Sequence, residues 1–308
     1  MNIDKVVEYH NKKIKNFQLY KQITANKNYV FPESNNQFNT IARKSNTLQM
    51  FRLVNRIFKR FQNKSNKKKS IHYIINLLYQ DKTDIEKYQE LEKHIRKYKR
   101  QNDIHNDRFH SDRMYDQLND SVKKLKVKKL LDIGCGTGHK TVFLASLFNA
   151  EPHGVDVKSW DTGMEQNRSK DLHFSYYNGE KTKYKNNTFD LVVINMVMHH
   201  TEKKDEMIKE AYRVLKKGGI LYVRDHDALR EGDKILIDIE HILWRMQTND
   251  NSTLNKWIKE RIYYLDRFIL DYLANVNKFK LVHADYYSIN PVYNEINEQR
   301  AFYAIYKK

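Results

Sequence analysis

One cysteine, three prolines and nine glycines occur in 308 residues. A lone thiol cannot build a disulfide framework within the chain, which excludes the small stapled secreted scaffolds and fits a reducing, cytoplasmic setting. No apolar run nears the roughly twenty residues that a membrane-spanning helix needs. The opening MNIDKVVEYHNKKIKNF has no apolar stretch of the kind a secretory leader carries. Acid is missing too, over one long interval. Between Glu33 and Asp81 there is none, against ten bases.

What is present is unevenly placed. The net charge is +18. Residues 1–126 carry +15 of it, and the remaining 182 residues carry +3. A basic block of this size attracts polyanions. After Ser45, a plausible N-cap, Leu48, Phe51, Val54, Phe58 and Phe61 recur at helical spacing. Arg52, Arg56, Lys59 and Arg60 fall on the other side, and Lys67, Lys68 and Lys69 follow in an exposed turn. These seven bases are the expected contacts to nucleic acid, RNA first. Tyr73, Tyr79 and Tyr98 add ring faces of the kind that stack on single strands. A membrane-surface helix and a solvated surface in a Lys/Asn-rich chain are the competing readings.

Three of the nine glycines sit within five residues, in Leu130-Leu131-Asp132-Ile133-Gly134-Cys135-Gly136-Thr137-Gly138. An apolar strand ends in an acid, and a loop nearly free of side chains runs into a helical pattern. Backbone N–H groups in such a loop can approach a ligand closely. Eighteen residues past Gly138, a second strand ends in Asp156, where a carboxylate can accept both hydroxyls of a ribose. The third-glycine offset of the dinucleotide fingerprint is missing. Downstream come Asn187-Thr188-Phe189-Asp190-Leu191-Val192-Val193 and Leu215-Lys216-Lys217-Gly218-Gly219-Ile220-Leu221.

That ordered set, over Lys128 to Val223, resembles the class I S-adenosylmethionine-dependent methyltransferases. The resemblance implies an α/β fold, a Rossmann-like seven-stranded sheet closed by an antiparallel hairpin strand. It implies S-adenosyl-L-methionine as cofactor. Asp132, Gly134, Cys135, Gly136 and Gly138 then hold the methionine end, and Asp156 with Val157 the ribose. Asn178 with Gly179 lies by the adenine, where the family more often has Asp. Asn195 closes the fourth strand beside them.

The alternation predicts strands near 128–133, 152–157, 172–177, 189–194 and 219–224, then 280–287 and 301–306. Helices are expected at 83–100, 109–125, 138–148, 160–168 and 202–216. Two more, at 233–247 and 254–276, form a helical insertion of about 228–276 between the fifth and sixth strands. The division is a basic helical region, 1–108, and a methyltransferase domain, 109–308.

Ligands of an open α/β sheet bind at the carboxyl ends of its strands. The fourth strand end offers Asn195 and His199, the fifth Asp225 and His226. Methyl transfer is an in-line displacement that needs alignment, and a base only where the acceptor is a hydroxyl. His199, Asp225 and His226 are therefore the catalytic candidates, with Asp225 and His226 as the acid–imidazole pair. There is no H-x-x-x-H pair and no cysteine cluster, so no metal is expected. The Asn-Met-Val-Met step after the fourth strand disfavours adenine-N6 chemistry. Three functions stay open: an RNA methyltransferase, a small-molecule methyltransferase with a basic lid or surface anchor, and a non-catalytic nucleic-acid-binding subunit.

Overall fold

The computed structural model describes residues 114–118, 120–158, 165–228, 262–286 and 301–308, most of 73–95, and Ile237, Glu240 and His241. The seven bases expected to meet nucleic acid lie outside the described residues, as do Tyr79 and Tyr98. Tyr73 is described; it stacks on His94 and remains exposed.

Seven strands form one sheet: β1 (Lys129–Ile133), β2 (Glu151–Val157), β3 (His173–Tyr177), β4 (Phe189–Asn195), β5 (Leu215–His226), β6 (Lys280–Tyr286) and β7 (Ala301–Lys307). Their order is β3-β2-β1-β4-β5-β7-β6. The first five are parallel, and β7 runs antiparallel between β5 and β6. The strand order therefore reverses at β1, between β2 and β4. That switch point is where such sheets open a crevice at the carboxyl ends of their strands.

Side chains alternate across each strand, and the two faces bury different partners. Leu131, Val192, Leu221, Val223 and Ala304 pack on one face, under α3 (Lys204–Val214) and α4 (Arg267–Val276). Leu130, Leu191, Val193, Tyr222 and Ile305 pack on the other, against Leu144 and Ala145 of α2 (His139–Phe148), against Val122 of α1 (Asp120–Lys123), and against Met114 and Leu118. The result is a three-layer sandwich with helices on both faces.

The expected strands and the helices at 138–148 and 202–216 appear within a few residues of their predicted bounds, except that β5 runs four residues earlier and two later than expected. Three helices differ. The helix expected over 109–125 breaks at Leu118, and Leu125 is exposed. In 160–168 the described part is a 3-10 turn, Glu165–Asn167. Of the helix expected over 254–276, the described part is non-helical over 262–266 and helical over Arg267–Val276. Its apolar positions Ile262 and Leu265 belong to an extended segment, in which Tyr263 N–H donates to the His199 carbonyl and Ala228 N–H to that of Leu265. Asp266 then caps α4, accepting from the N–H groups of Phe268 and Ile269. Apolar spacing alone cannot see a cap in the middle of a periodic run.

Lys204 opens α3 with a fully buried side chain. Its Nζ donates to the Thr201 carbonyl at 2.6 Å. A helix N-terminus is a poor place for a cation, and burial brings this amine from its ordinary 10.5 down to about 7 against the attraction of Asp225. The folded value lies below the unfolded one. Between about pH 7 and 10.5 the unfolded chain binds more protons, so this group makes stability rise with pH through that window. Urea midpoints measured across it should climb in the wild-type protein. Lys204→Met should remove this group's share of the climb, and a climb of unchanged size would contradict the assignment.

Candidate functional site

The glycine loop is built by its backbone. Gly134 and Gly138 hold φ of +81° and +75°, a region L side chains rarely adopt. A Cβ on Gly134 would lie 2.4 Å from a Val197 methyl, and one on Gly138 2.2 Å from a Leu172 methyl. The loop is thus wedged between the segment after β4 and the segment before β3. Gly154, which sequence reading passed over, does the same from β2, where a Cβ would meet Cys135 Sγ at 2.6 Å. Burial pushes the Cys135 thiol up, so it serves as a packed apolar group rather than a nucleophile.

Two acids frame this loop. Asp156 accepts from Gly136 N–H at 2.7 Å through one oxygen and from Val157 N–H at 2.8 Å through the other. The end of β2 is thereby tied to the loop. Asp132 is buried, and its Oδ2 accepts from the Thr141 hydroxyl at 2.5 Å. Its Oδ1 has no hydrogen-bond partner among the described residues. Burial raises its carboxyl to about 6, with Thr141 and Lys140 pulling the other way. An orphaned buried carboxylate oxygen beside a loop of backbone donors suits a ligand that brings a cation. Two residues past the point where β4 pairs with Asp132, the Asn195 side-chain oxygen is likewise buried and unpartnered.

Asn178, expected beside the adenine, closes the turn after β3. Its Oδ1 accepts from Glu180 N–H at 3.0 Å and Lys181 N–H at 2.9 Å. The acceptor is spent on closing the turn, and the amide NH₂ remains for a ligand. Gly179 supplies the positive φ of that turn.

The acceptor side is rich in imidazole. Asn195 and Arg224 are paired at the ends of β4 and β5. The chain then turns through Met198–His200, a 3-10 turn. Asp225 is fully buried and gathers three donors: His199 Nδ1–H at 2.5 Å, Met198 N–H at 2.8 Å and His226 N–H at 2.7 Å. The sequence pattern paired Asp225 with His226. The structure pairs it with His199, because a strand end binds the side chain of the neighbouring loop more readily than that of its own successor. The His226 ring instead stands edge-on to His199 at 4.9 Å. Burial and the surrounding imidazoles hold the His199 ring far below its ordinary value, so it is neutral near pH 7. Asp227 ties to Arg267 through its side chain and backbone N–H, and so anchors α4 rather than facing a reactant. His241 completes the group, its Nε2 3.0 Å from His199 Nε2. Nothing in the sequence signals His241, since only the fold brings the insertion back onto the strand ends.

Residues 131–223 match the model of a methyltransferase domain family, described as "Methyltransferase domain". The chain carries a class I S-adenosylmethionine-dependent methyltransferase domain. Tocopherol O-methyltransferase of Arabidopsis thaliana is 28% identical over 127 residues, covering 39% of this chain and 36% of that protein. Human arsenite methyltransferase is 32% identical over 112 residues, covering 31% and 30%. Demethylmenaquinone methyltransferase of Lactobacillus johnsonii is 31% identical over 129 residues, covering 34% and 53%. The chain thus spans about a third to a half of the length of these relatives. Among solved structures, a SAM-dependent methyltransferase of Methanosarcina mazei covers 62% of this chain and 98% of its own, at 18% identity and a TM-score of 0.45. S-adenosylmethionine carries an ammonium at its methionine end and two ribose hydroxyls, which the orphaned Asp132 oxygen and the Asp156 carboxylate could take up.

Taking up that ammonium would require the ionised Asp132. Cofactor affinity measured by calorimetry should rise as pH climbs through about 6 and level off above it. Asp132→Asn should remove the rise and cost on the order of 10- to 100-fold in affinity near neutral pH. Asp156→Ala should cost about 2–4 kcal/mol, since it removes ribose contacts and also unties Gly136. A pH-independent wild type, or Ala and Asn variants that bind as tightly as wild type, would contradict this cradle.

Proposed function

We propose that this protein transfers a methyl group from S-adenosylmethionine to a small acceptor seated against the ends of β4 and β5. The observation that carries the reading is the orphaned, buried Asp132 oxygen beside a loop tied to Asp156. A cation-bearing nucleoside suits that cradle, and the bound cofactor supplies a methyl group already activated on a sulfonium. The rest is positioning. The loop and the two acids fix the methyl donor, and Asn195, His199 and His226 flank the place where an acceptor atom can line up with it. His199 and His226 are each only 2% exposed, which favours a small acceptor able to reach between them. The relatives, tocopherol, arsenite and demethylmenaquinone methyltransferases, point the same way.

One specific observation favours a second acceptor, RNA: the +15 carried by residues 1–126 against +3 in the remainder. Methyl-labelled cofactor incubated with the protein and with separated metabolite, RNA and protein fractions tells the two apart. Label in the metabolite fraction is expected. Label in RNA alone would replace the small acceptor by the second reading, and label in none, with cofactor bound, would contradict catalysis.

The basic segment has its own test. If it grips a single strand through several phosphates, log affinity should fall with log salt at roughly 0.7 per contact. Replacing Arg52, Arg56 and Arg60 together by Gln should flatten that slope and leave cofactor affinity intact. An unchanged slope would remove the RNA reading.

A further inference from the structure

We propose that His199, His241 and His200 form a binding site for a divalent transition-metal ion of the zinc class, at the rim of the acceptor side. The argument begins with two hydrogen bonds. His199 Nδ1 faces the Asp225 carboxylate at 2.5 Å, and His241 Nδ1 faces the Ile237 carbonyl at 2.7 Å. A carboxylate and a carbonyl only accept, so both Nδ1 atoms carry the hydrogen. In the neutral ring the other nitrogen is then a bare lone pair. The two bare nitrogens, His199 Nε2 and His241 Nε2, face each other at 3.0 Å.

Two lone pairs at that distance repel unless something positive sits between or beside them. A proton would make one ring an imidazolium. His199 is 2% exposed and surrounded by three further imidazoles within 5 Å of its centroid, a costly place for a bare charge on a ring. A metal ion satisfies both lone pairs at once. Two nitrogens each about 2.0–2.1 Å from a tetrahedral zinc stand about 3.3 Å apart, close to the spacing present. His200 brings a third imidazole, and one ligand nitrogen from each of the three rings lies within 4.8 Å of the others. Imidazole donors suit zinc, copper, nickel and iron rather than magnesium or calcium.

The supporting groups are those of a metal site. A carboxylate behind one ligand and a backbone carbonyl behind another fix the tautomers that ligation needs. Three protein ligands leave one position of a tetrahedral ion for water or an acceptor atom, the pattern of catalytic rather than structural zinc. The two flanking segments come from distant parts of the chain, His199 and His200 after β4 and His241 from the insertion. The ion would therefore also pin the insertion onto the strand ends. The sequence gives no metal-ligand spacing because these ligands converge only in the fold.

The test uses the full-length protein and reads metal, not methyl transfer, so it stands or falls separately from the methyltransferase reading. The chelator-stripped protein is titrated with Co²⁺ and followed by visible absorption, then with Zn²⁺ and followed by metal analysis after gel filtration. About one tightly held equivalent and the intense visible bands of a four-coordinate cobalt site are expected. His241→Ala and His200→Ala should each lose both signals, and Asp225→Asn should weaken the site by about 10- to 100-fold. His283→Ala, at an imidazole outside the cluster, should keep them. A wild-type protein that shows only the pale spectrum of six-coordinate aqueous cobalt and retains no zinc would overturn the proposal, whatever the variants do. Undiminished binding in His241→Ala and His200→Ala would overturn it as well.

Discussion

The Asp225 carboxylate is the interaction on which the functional end of the sheet depends. It sits at the end of β5 with no exposure to solvent and accepts three hydrogen bonds. One comes from the backbone of Met198 and one from the His199 ring, so the turn after β4 is held to the end of β5. The third, from His226 N–H, holds the carboxylate itself in place. A buried charge is tolerated only when its lone pairs are so occupied, and removing a donor costs about 1.5–3 kcal/mol. Through Val197, the same turn is pressed against Gly134. One carboxylate therefore couples the turn after β4 to the glycine loop.

A second carboxylate does comparable work on the other side of the switch point. Asp156 holds Gly136 N–H and so sets the loop's approach to β2. Asp132 stands between the two with one oxygen engaged and one not. The three acids are all at strand ends in a crevice where the sheet order reverses. What each one faces differs. Asp132 is pushed up to about 6 chiefly by burial, while Asp156 and Asp225 each meet two or more backbone or ring donors.

Much of this was legible in the chain. Strand ends marked by acids, glycines at 134, 136 and 138, and the alternation of apolar runs point to the doubly wound sheet and to its cofactor cradle. Local patterns carry that information because each strand and loop is a contiguous stretch. The acceptor side was legible only in part. His199, Asp225 and His226 are visible as polar residues at strand ends, but which of them pair is decided across strands. Asp225 therefore serves His199, against the sequence expectation of His226. His241 and the extended segment 262–266 could not be read at all. Their partners, His199 Nε2 and the His199 carbonyl, lie more than forty residues away.

The most direct measurement of the central claim is the tautomer of His199, read from long-range ¹H–¹⁵N correlations of the imidazole in chelator-treated protein at neutral pH. The account predicts a His199 ring protonated at Nδ1, with that proton shifted far downfield by the Asp225 carboxylate, and loss of this signal in Asp225→Asn. A ring protonated at Nε2, or a Nδ1 proton unmoved by Asp225→Asn, would contradict it.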